Sequence, residues 1–243
     1  MLIPIGSWCR CAYQVNEFIK SKGGEPISYP FDWTITPFAS LQITFSKSFN
    51  TNNVLANENL LLSPFGSLTD ISTKLIHHHD FDPQDILRMK GIKGVNENGV
   101  PLAIFDRDLI MKAKGRLIHT YNNLEKLKNN EKKIGFIRWI RTGQADPTLP
   151  NAFEGETLNS LSDVFSNFLG HDNFSILQIR TEIIKDDTLR NSIISYKNEE
   201  FGVSAVIAER RGFNGDGTTN FRGEVESWNR VLNKFIIEEN ITL

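Results

Sequence analysis

Short, nearly continuous apolar runs recur along the chain and are separated by longer amphipathic stretches. The apolar runs predict β-strands at residues 2–5, 29–35, 74–78, 102–105, 134–140, 174–179 and 203–208. The last three runs are rich in Ile, Val and Phe and do not alternate with polar residues. Such runs are typical of strands that are covered on both faces, as in a mainly parallel sheet.

In the stretches between these runs, apolar residues return every three or four positions. This spacing predicts helices at residues 9–20, 37–45, 106–127, 158–169 and 224–237. Gly170 directly follows one of them, as expected at a helix end. Because strands alternate with helices, we expect an α/β fold with one domain over residues 1–243, in which a mainly parallel sheet is flanked by helices.

Composition narrows the classes of protein to consider. The 243 residues include 27 Lys+Arg and 29 Asp+Glu, which gives a net charge of −2, and 40% of them are hydrophobic. These values exclude a disordered chain, a collagen-like fibre and a coiled coil. Because the chain has no positive field and no apolar run of about 18 residues, we expect no nucleic-acid partner and no membrane span. The oligomeric state is left open.

The cysteines and the first residues bear on location. Cys9 and Cys11 are the two cysteines, and the single residue between them makes a mutual disulfide strained. Residues 1–6 contain neither a basic region nor a long apolar stretch, so they do not resemble a signal peptide. We therefore expect a reducing compartment and a cytoplasmic location, with secretion without a cleaved signal as the alternative.

A thiol follows the first predicted strand, at the start of the first predicted helix. Backbone N–H groups and the dipole at a helix N-terminus stabilise an anion, so Cys9 fits the position of a reactive thiolate beside an oxyanion hole. Gly6 and Ser7 leave room there for a substrate. The alternative is that Cys9 is a small buried residue. Cys11 would face another side of the helix and is expected to be structural.

Three consecutive histidines close one of the short predicted strands. His77, His78 and His79 end the run at 74–78 and are followed by Asp80. One of the three fits a general base for the thiol, with a carboxylate to orient the imidazole ring. The alternatives are a metal site and an exposed polar strand end.

An aspartate lies between two aromatic residues further upstream. Asp32 is flanked by Phe31 and Trp33, and a carboxylate in apolar surroundings is unfavourable unless it has a partner. Asp32 therefore either holds a catalytic histidine in the required tautomer or serves a turn ahead of the helix at 37–45. We expect Trp33 in the core or in a pocket wall.

Arginines lie in or directly after the best predicted strands. Arg138 and Arg141 belong to the strand at 134–140 and its end, and Arg180 follows the strand at 174–179. In a parallel sheet these ends share one edge with the thiol, and ligands bind at that edge in open α/β sheets. Guanidinium groups bind carboxylate and phosphate with two hydrogen bonds, so the sequence predicts an anionic group on the substrate.

Sequence motifs for common cofactors do not occur in the chain. The glycine-rich segment at 213–220 lacks the spacing of a nucleotide P-loop and the Asp-x-Asp signature of a calcium loop. Neither an H-E-x-x-H zinc helix nor a G-x-S-x-G elbow is present in the sequence. We therefore expect no cofactor and no bound metal.

Five sequence blocks between residues 2 and 141 form a series. They are Gly6-Ser7-Trp8-Cys9, Phe31-Asp32-Trp33, His79-Asp80-Phe81, the basic helical segment 112–116 and Phe136-Ile137-Arg138. The series resembles a bacterial family described as papain-like cysteine peptidases, the domain of unknown function 1796. The pattern of that family is a G-S-x-C start, an F-D-W block, an H-D-F block, a basic helix and an apolar strand that ends in F-[VI]-R.

The resemblance implies a catalytic role for several residues. Cys9 would be the nucleophile and His79 its general base, with Asp32 or Asp80 orienting the histidine. This sequence departs from the family pattern at Trp8, where the family has a smaller polar residue, usually Asn, and the indole would narrow access to the thiol. The resemblance also implies a papain-like α+β fold, with a helical half and an antiparallel half, as the alternative to the α/β fold.

Three hypotheses about function follow. The first is a cysteine-dependent hydrolase, of peptidase or acyl-transfer type, that acts on a peptide or acyl substrate. The second is a group-transfer enzyme whose arginines bind an anionic glycan or a phosphorylated small molecule. The third is a non-catalytic binding module. The candidate substrate-binding residues are Ser7, Trp8, Trp33, Arg138, Arg141 and Arg180.

Overall fold

Strands and helices alternate along much of the chain. The computed structural model describes residues 1–6, 9–56, 60–62, 68–77, 92–95, 101–103, 107–140, 153–184, 192–210 and 225–243. The strands within these residues are β1 (Leu2–Pro4), β2 (Thr34–Ile35), β3 (Leu60–Leu62), β4 (Leu68–Asp70), β5 (Ile76–His77), β6 (Ile92–Val95), β7 (Pro101–Ala103), β8 (Ile134–Ile140), β9 (Phe174–Ile184), β10 (Ile193–Glu199) and β11 (Gly202–Arg210). The α-helices are α1 (Cys9–Ser21), α2 (Phe38–Thr44), α3 (Arg107–Glu125), α4 (Leu158–Leu169) and α5 (Val225–Glu238).

A mixed sheet of five described strands, in the order β1-β8-β9-β11-β10, organises the fold. The first four strands are parallel, and β10 pairs antiparallel with β11 at one edge. Helices pack on both faces of this sheet, which confirms the predicted α/β fold and makes the papain-like α+β alternative wrong. Because the parallel strands all end at the same edge, the elements that follow β1, β8, β9 and β11 start there.

The two faces of β8 explain why its sequence is continuously apolar. Ile137 and Trp139 belong to the core formed with α1 and α5, where Trp139 packs edge-on against Trp228. Phe136 belongs to the core on the opposite face, with α3 and α4, and stacks on Phe165 with ring centroids 4.1 Å apart. A strand buried on both faces loses the polar alternation that a half-exposed strand shows.

A second sheet is antiparallel and has the strand order β2-β5-β4-β3-β7-β6. Leu60 and Leu68 in its strands belong to the same core as Phe136. This second sheet therefore packs on the side of the parallel sheet that α3 and α4 cover. The apolar runs at 29–35, 74–78 and 102–105 predict only some of the strands of this sheet. Strands of two to four residues hold too few positions to show a period, which is why most of this sheet has no signal in the sequence.

Helix boundaries agree with local sequence signals. α4 begins after Thr157, whose hydroxyl accepts a hydrogen bond from the backbone N–H of Ser160, and ends at Gly170 in a left-handed conformation with φ 76°. The helix predicted at 106–127 is observed as α3 followed by a 3-10 turn at Lys126–Asn129. In the part of the chain described, none of the helices has the length and apolar character needed to cross a membrane.

Two predicted strands have different bounds in the structure. The segment at 29–35 contributes only Thr34–Ile35, because residues 30–33 form a turn. β9 continues to Ile184, so Arg180 lies inside the strand and not at its end, which corrects the sequence analysis. β10, the antiparallel partner of β11, is not predicted at all. Its positions are exposed or only partly buried, so its hydrophobic pattern is weak.

The first residue of β11 offers a test of this packing. Gly202 has φ 149°, and a Cβ atom there would lie 2.6 Å from the backbone oxygen of Ile176. We expect Gly202→Ala to lower the free energy of unfolding by about 1–3 kcal/mol, because it adds a steric clash and backbone strain. Urea denaturation measures the change.

The matched control lies in α3. A Cβ atom added at Gly115 meets nothing within 4 Å. Gly115→Ala is therefore expected to raise stability by about 0.5–1 kcal/mol, because alanine loses less backbone entropy than glycine in a helix. Equal effects of the two substitutions would show that the close approach at Gly202 is wrong.

Candidate functional site

The chain passes from β1 into α1 at the carboxyl edge of the parallel sheet. Ile5 donates its N–H to the carbonyl oxygen of Ile137 at 2.8 Å, and Cys9 is the first residue of α1. The helix start therefore lies beside the ends of β1 and β8, where the sequence analysis expects it. Ser7, Trp8 and the side chain of Cys9 lie outside the described residues.

The second thiol is buried one half-turn further along α1. Cys11 is fully buried and donates its S–H to the carbonyl oxygen of Ile137 at 3.3 Å. Burial raises the pKa of this thiol to about 12, with Asp32 adding to the rise and Arg138 opposing it. Cys11 is thus protonated at neutral pH and packed in the core, which confirms the structural role expected for it.

A buried ion pair connects β8 to the segment that precedes α4. The Nε and Nη2 atoms of Arg138 donate to the two carboxylate oxygens of Glu156 at 2.8 and 2.7 Å. Nη1 donates to the carbonyl oxygen of Ile5 at 2.6 Å. The two side chains are 0% and 1% exposed, so the pair is shielded from solvent on all sides. The Arg138 guanidinium therefore connects β8 to the residue after β1 and to the segment that precedes α4.

This pair corrects the substrate-binding role predicted for Arg138. Its guanidinium is buried and already satisfies a carboxylate and a backbone carbonyl, so it has an internal role in the fold. Arg180 behaves differently, because its side chain is exposed and its one contact among the described residues is with Oε1 of Gln178, at 3.5 Å. Arg141 lies outside the described residues.

Asp32 is 2% exposed and lies in the turn that precedes β2. Its Oδ2 atom accepts the N–H of Tyr29 at 3.1 Å, and its own N–H donates to the carbonyl oxygen of Tyr29. Its Oδ1 atom has no hydrogen-bond partner among the described residues. Burial raises the pKa of this carboxyl group to about 7, and the hydrogen bond from Tyr29 opposes the rise. Asp32 thus serves its turn with one oxygen and has the other available.

The start of the histidine cluster lies beside this turn. β2 pairs antiparallel with β5, which brings Thr34 opposite His77, and His77 is fully buried. His78, His79 and Asp80 lie outside the described residues, so their predicted roles stay predictions. Trp33 is 43% exposed, so it is not a core residue. Its predicted place in a pocket wall is not tested.

Two polar residues at this edge are missed by the sequence analysis. Glu156 precedes the N-cap of α4 and has no sequence relation to Arg138, so only the fold reveals the pairing. Gln178 lies in the middle of an apolar strand, and that interruption is a signal that the sequence analysis leaves unused. Among the described residues, no group of three or more His, Cys, Asp or Glu side chains is arranged to hold a metal ion.

Comparison with known proteins adds no assignment. No protein-family model, curated protein or solved structure matches the chain. The resemblance to the papain-like peptidase family therefore stays a prediction, and the candidate site is argued from its own geometry.

The buried ion pair can be tested by removing one charge. Glu156→Gln leaves the Arg138 guanidinium buried without a countercharge, and we expect a loss of about 3 kcal/mol in the free energy of unfolding. The exposed neighbour Glu154 provides the matched control, Glu154→Gln, for which we expect little change. Urea denaturation of both variants decides the matter, and similar values would show that the pair is not buried in solution.

The raised pKa of Asp32 makes stability depend on pH. The folded state retains this proton up to about pH 7, whereas the unfolded chain releases it near the ordinary value of 3.8. The folded state binds more protons in this interval, so the contribution of Asp32 to stability falls as the pH rises through it. We expect Asp32→Asn to gain stability relative to wild type between about pH 5 and pH 8.

Urea denaturation at both pH values measures this change. The control is Asp163→Asn, which removes an exposed carboxylate on α4. If the difference between Asp32→Asn and wild type is the same at both pH values, the Asp32 carboxyl group does not titrate in this range.

Proposed function

We propose that the chain is a cysteine-dependent hydrolase or acyl-transfer enzyme with Cys9 as nucleophile and His79 as general base. Asp32 orients the histidine, with Asp80 as the alternative for that role. The observation that carries the proposal is the Asp32 carboxyl group, which is buried and has one oxygen without a partner among the described residues. An imidazole N–H is the kind of donor that this oxygen lacks.

The position of Cys9 supports its role as nucleophile. The first residue of α1 lies where backbone N–H groups point outward with the positive end of the helix dipole, and both stabilise a thiolate. The same edge of a parallel sheet is where substrates bind in open α/β folds. Cys11, protonated and buried, is left to the core, so the two thiols have separate roles.

The strand pairing places the start of the histidine cluster near Asp32. Thr34, two positions after Asp32, lies opposite His77 in the antiparallel pair of β2 and β5. The choice of His79 among the three histidines is what the family resemblance implies.

The proposed reaction proceeds in two steps. The Cys9 thiolate attacks the carbonyl carbon of a peptide or acyl substrate and forms a carbon–sulfur bond, while the leaving group departs with a proton from the imidazolium of His79. Water, or another acceptor in acyl transfer, then attacks the thioester and gives its proton back to His79. The sulfur leaves as thiolate, so no oxidant, reductant or metal is required.

A group-transfer enzyme is the second candidate. Arg138 no longer supports it, because Glu156 occupies the guanidinium. Arg180 does support it, because it is exposed and its one contact among the described residues is the amide oxygen of Gln178. This candidate requires an anionic glycan or a phosphorylated substrate, and it predicts that Arg180→Ala damages activity more than Cys9→Ala.

Thiol alkylation tests the first candidate directly. Trypsin cleaves after Arg10, so the two cysteines fall in separate peptides, residues 1–10 and 11–20, and mass spectrometry follows each rate of iodoacetamide alkylation. We expect Cys9 to react well below about pH 8, because the helix start and an imidazolium lower the pKa of a thiol. Cys11 is the internal control, and we expect no reaction in the folded protein and full reaction in denaturant.

Two variants identify the base and its partner. His79→Ala should shift the alkylation of Cys9 to higher pH, and His78→Ala is the matched control that should leave it unchanged. Asp32→Asn should produce a smaller shift in the same direction, because it removes the orientation of the ring. If Cys9 reacts as an ordinary thiol in all forms, the hydrolase proposal is wrong and a non-catalytic binding module becomes the better hypothesis.

A further inference from the structure

One face of the parallel sheet carries polar side chains in the middle of β9. Residues alternate between faces along a strand, and Leu177 and Ile179 both belong to the core beneath α1 and α5. Gln178 and Arg180 therefore share the opposite face, and the 3.5 Å contact between the Gln178 amide oxygen and Nη2 of Arg180 agrees with this.

Gln178 buries an amide donor that has no acceptor in the described part of the chain. Gln178 is 5% exposed, and its side-chain Nε2 atom has no hydrogen-bond partner among the described residues. A buried amide N–H₂ group without an acceptor destabilises a fold by about 1–3 kcal/mol. A leucine of similar size has no donor to leave unpaired, so the amide is unfavourable for stability alone.

Arg180 completes the arrangement on the solvent side. Its side chain is exposed and forms no ion pair within the described part of the chain, in contrast to Arg138. Arg138 is the register partner of Gln178 on β8, and its charge is neutralised by Glu156. Within the described part of the chain, the positive charge without a countercharge beside the Gln178 amide is therefore that of Arg180.

Among the described residues, the register partners of Gln178 and Arg180 do not supply the missing acceptor. Ser204, the register partner of Gln178 on β11, donates its hydroxyl to the Glu199 carboxylate. Arg180 lies between two apolar register partners, Ile140 and Val206. The face therefore presents a buried amide donor and a guanidinium side by side, with the amide between Arg138 and Ser204 and the guanidinium between two apolar residues.

We propose that Gln178 and Arg180 form a binding site for an oxyanion, the carboxylate or phosphate group of a small molecule. The Arg180 guanidinium supplies a positive charge and paired N–H donors. The Gln178 amide supplies a further donor, which is shielded from water because the residue is buried. The site deepens the second candidate function, on whose use of Arg180 it rests, and it does not depend on the reactivity of Cys9. It lies on the face that Arg138 shares, and β8 lies between its strand, β9, and β1.

Binding is tested on the full chain with inorganic phosphate and, separately, acetate as probes, at constant ionic strength. The side-chain ¹⁵N–H₂ signal of Gln178, assigned from its loss in Gln178→Leu, reports contact at the site. We expect a saturable shift with at least one of the two probes, and the comparison identifies phosphate or carboxylate as the favoured group. Arg180→Gln should weaken the affinity about tenfold, as expected for loss of a charged hydrogen bond, and the exposed α5 variant Arg230→Gln should leave it unchanged.

Thermal unfolding gives a second readout that a purely structural role would not produce. Gln178→Leu should unfold at a higher temperature than wild type without phosphate or acetate, because it removes an unpaired buried donor. It should also lose the increase that the bound probe gives to wild type. Lower stability of Gln178→Leu in the absence of probe would show that the amide already has an internal partner and would overturn the proposal.

Two further outcomes would also overturn it. One is the absence of a saturable shift with either probe, which would mean that water alone serves the amide. The other is equal weakening by Arg180→Gln and Arg230→Gln, which would mean that the probe responds only to net charge. Neither outcome bears on the alkylation of Cys9, so a failure here and a failure of the proposed hydrolase are distinguishable.

Discussion

The carboxyl edge of the parallel sheet depends on one buried guanidinium. Arg138 binds both oxygens of Glu156 and the carbonyl oxygen of Ile5, so a single side chain connects β8, the end of β1 and the segment before α4. Removing a charge from water is unfavourable by several kcal/mol, and the interaction is stable only because every partner is positioned at once. That requirement fixes the end of β1 relative to β8, a few residues before α1 begins at Cys9.

The polar atoms near this pair differ in how well they are satisfied. Cys11 donates to Ile137 and is inert, whereas Asp32 and Gln178 each bury a polar atom without a partner in the described structure. A fold selected for stability alone would replace such atoms with apolar groups of similar shape. This edge of the sheet therefore has two kinds of polar residue. Arg138 maintains the geometry of the fold, whereas Asp32 and Gln178 can bind a ligand or a catalytic partner.

The sequence predicts the parallel sheet well because burial on both faces produces long apolar runs, as in β8, and because Gly170 ends α4 by its own backbone conformation. It fails for the short antiparallel sheet, whose strands show no period. It also misassigns Arg138, since sequence position indicates a strand end but does not reveal that Glu156, 18 residues later, would be folded onto the guanidinium. Pairings of this kind depend on tertiary structure alone, whereas the turn at Asp32 and the helix start at Cys9 have local signals.

The pairing of β1 has a consequence for how the protein forms. Ile5 and Arg138 are separated by 133 residues, and the described strand that pairs with β1 is β8. During synthesis at about 5–20 residues per second, the apolar first strand and the helix that carries both thiols remain without that partner for about 7–27 s. Contacts of such long range also slow folding after release. β1 and β8 are the first parallel pair of the sheet that can form, because β9 and β11 follow later in the chain. Until β8 has been made, the segment with the proposed nucleophile has no assembled site with which to react.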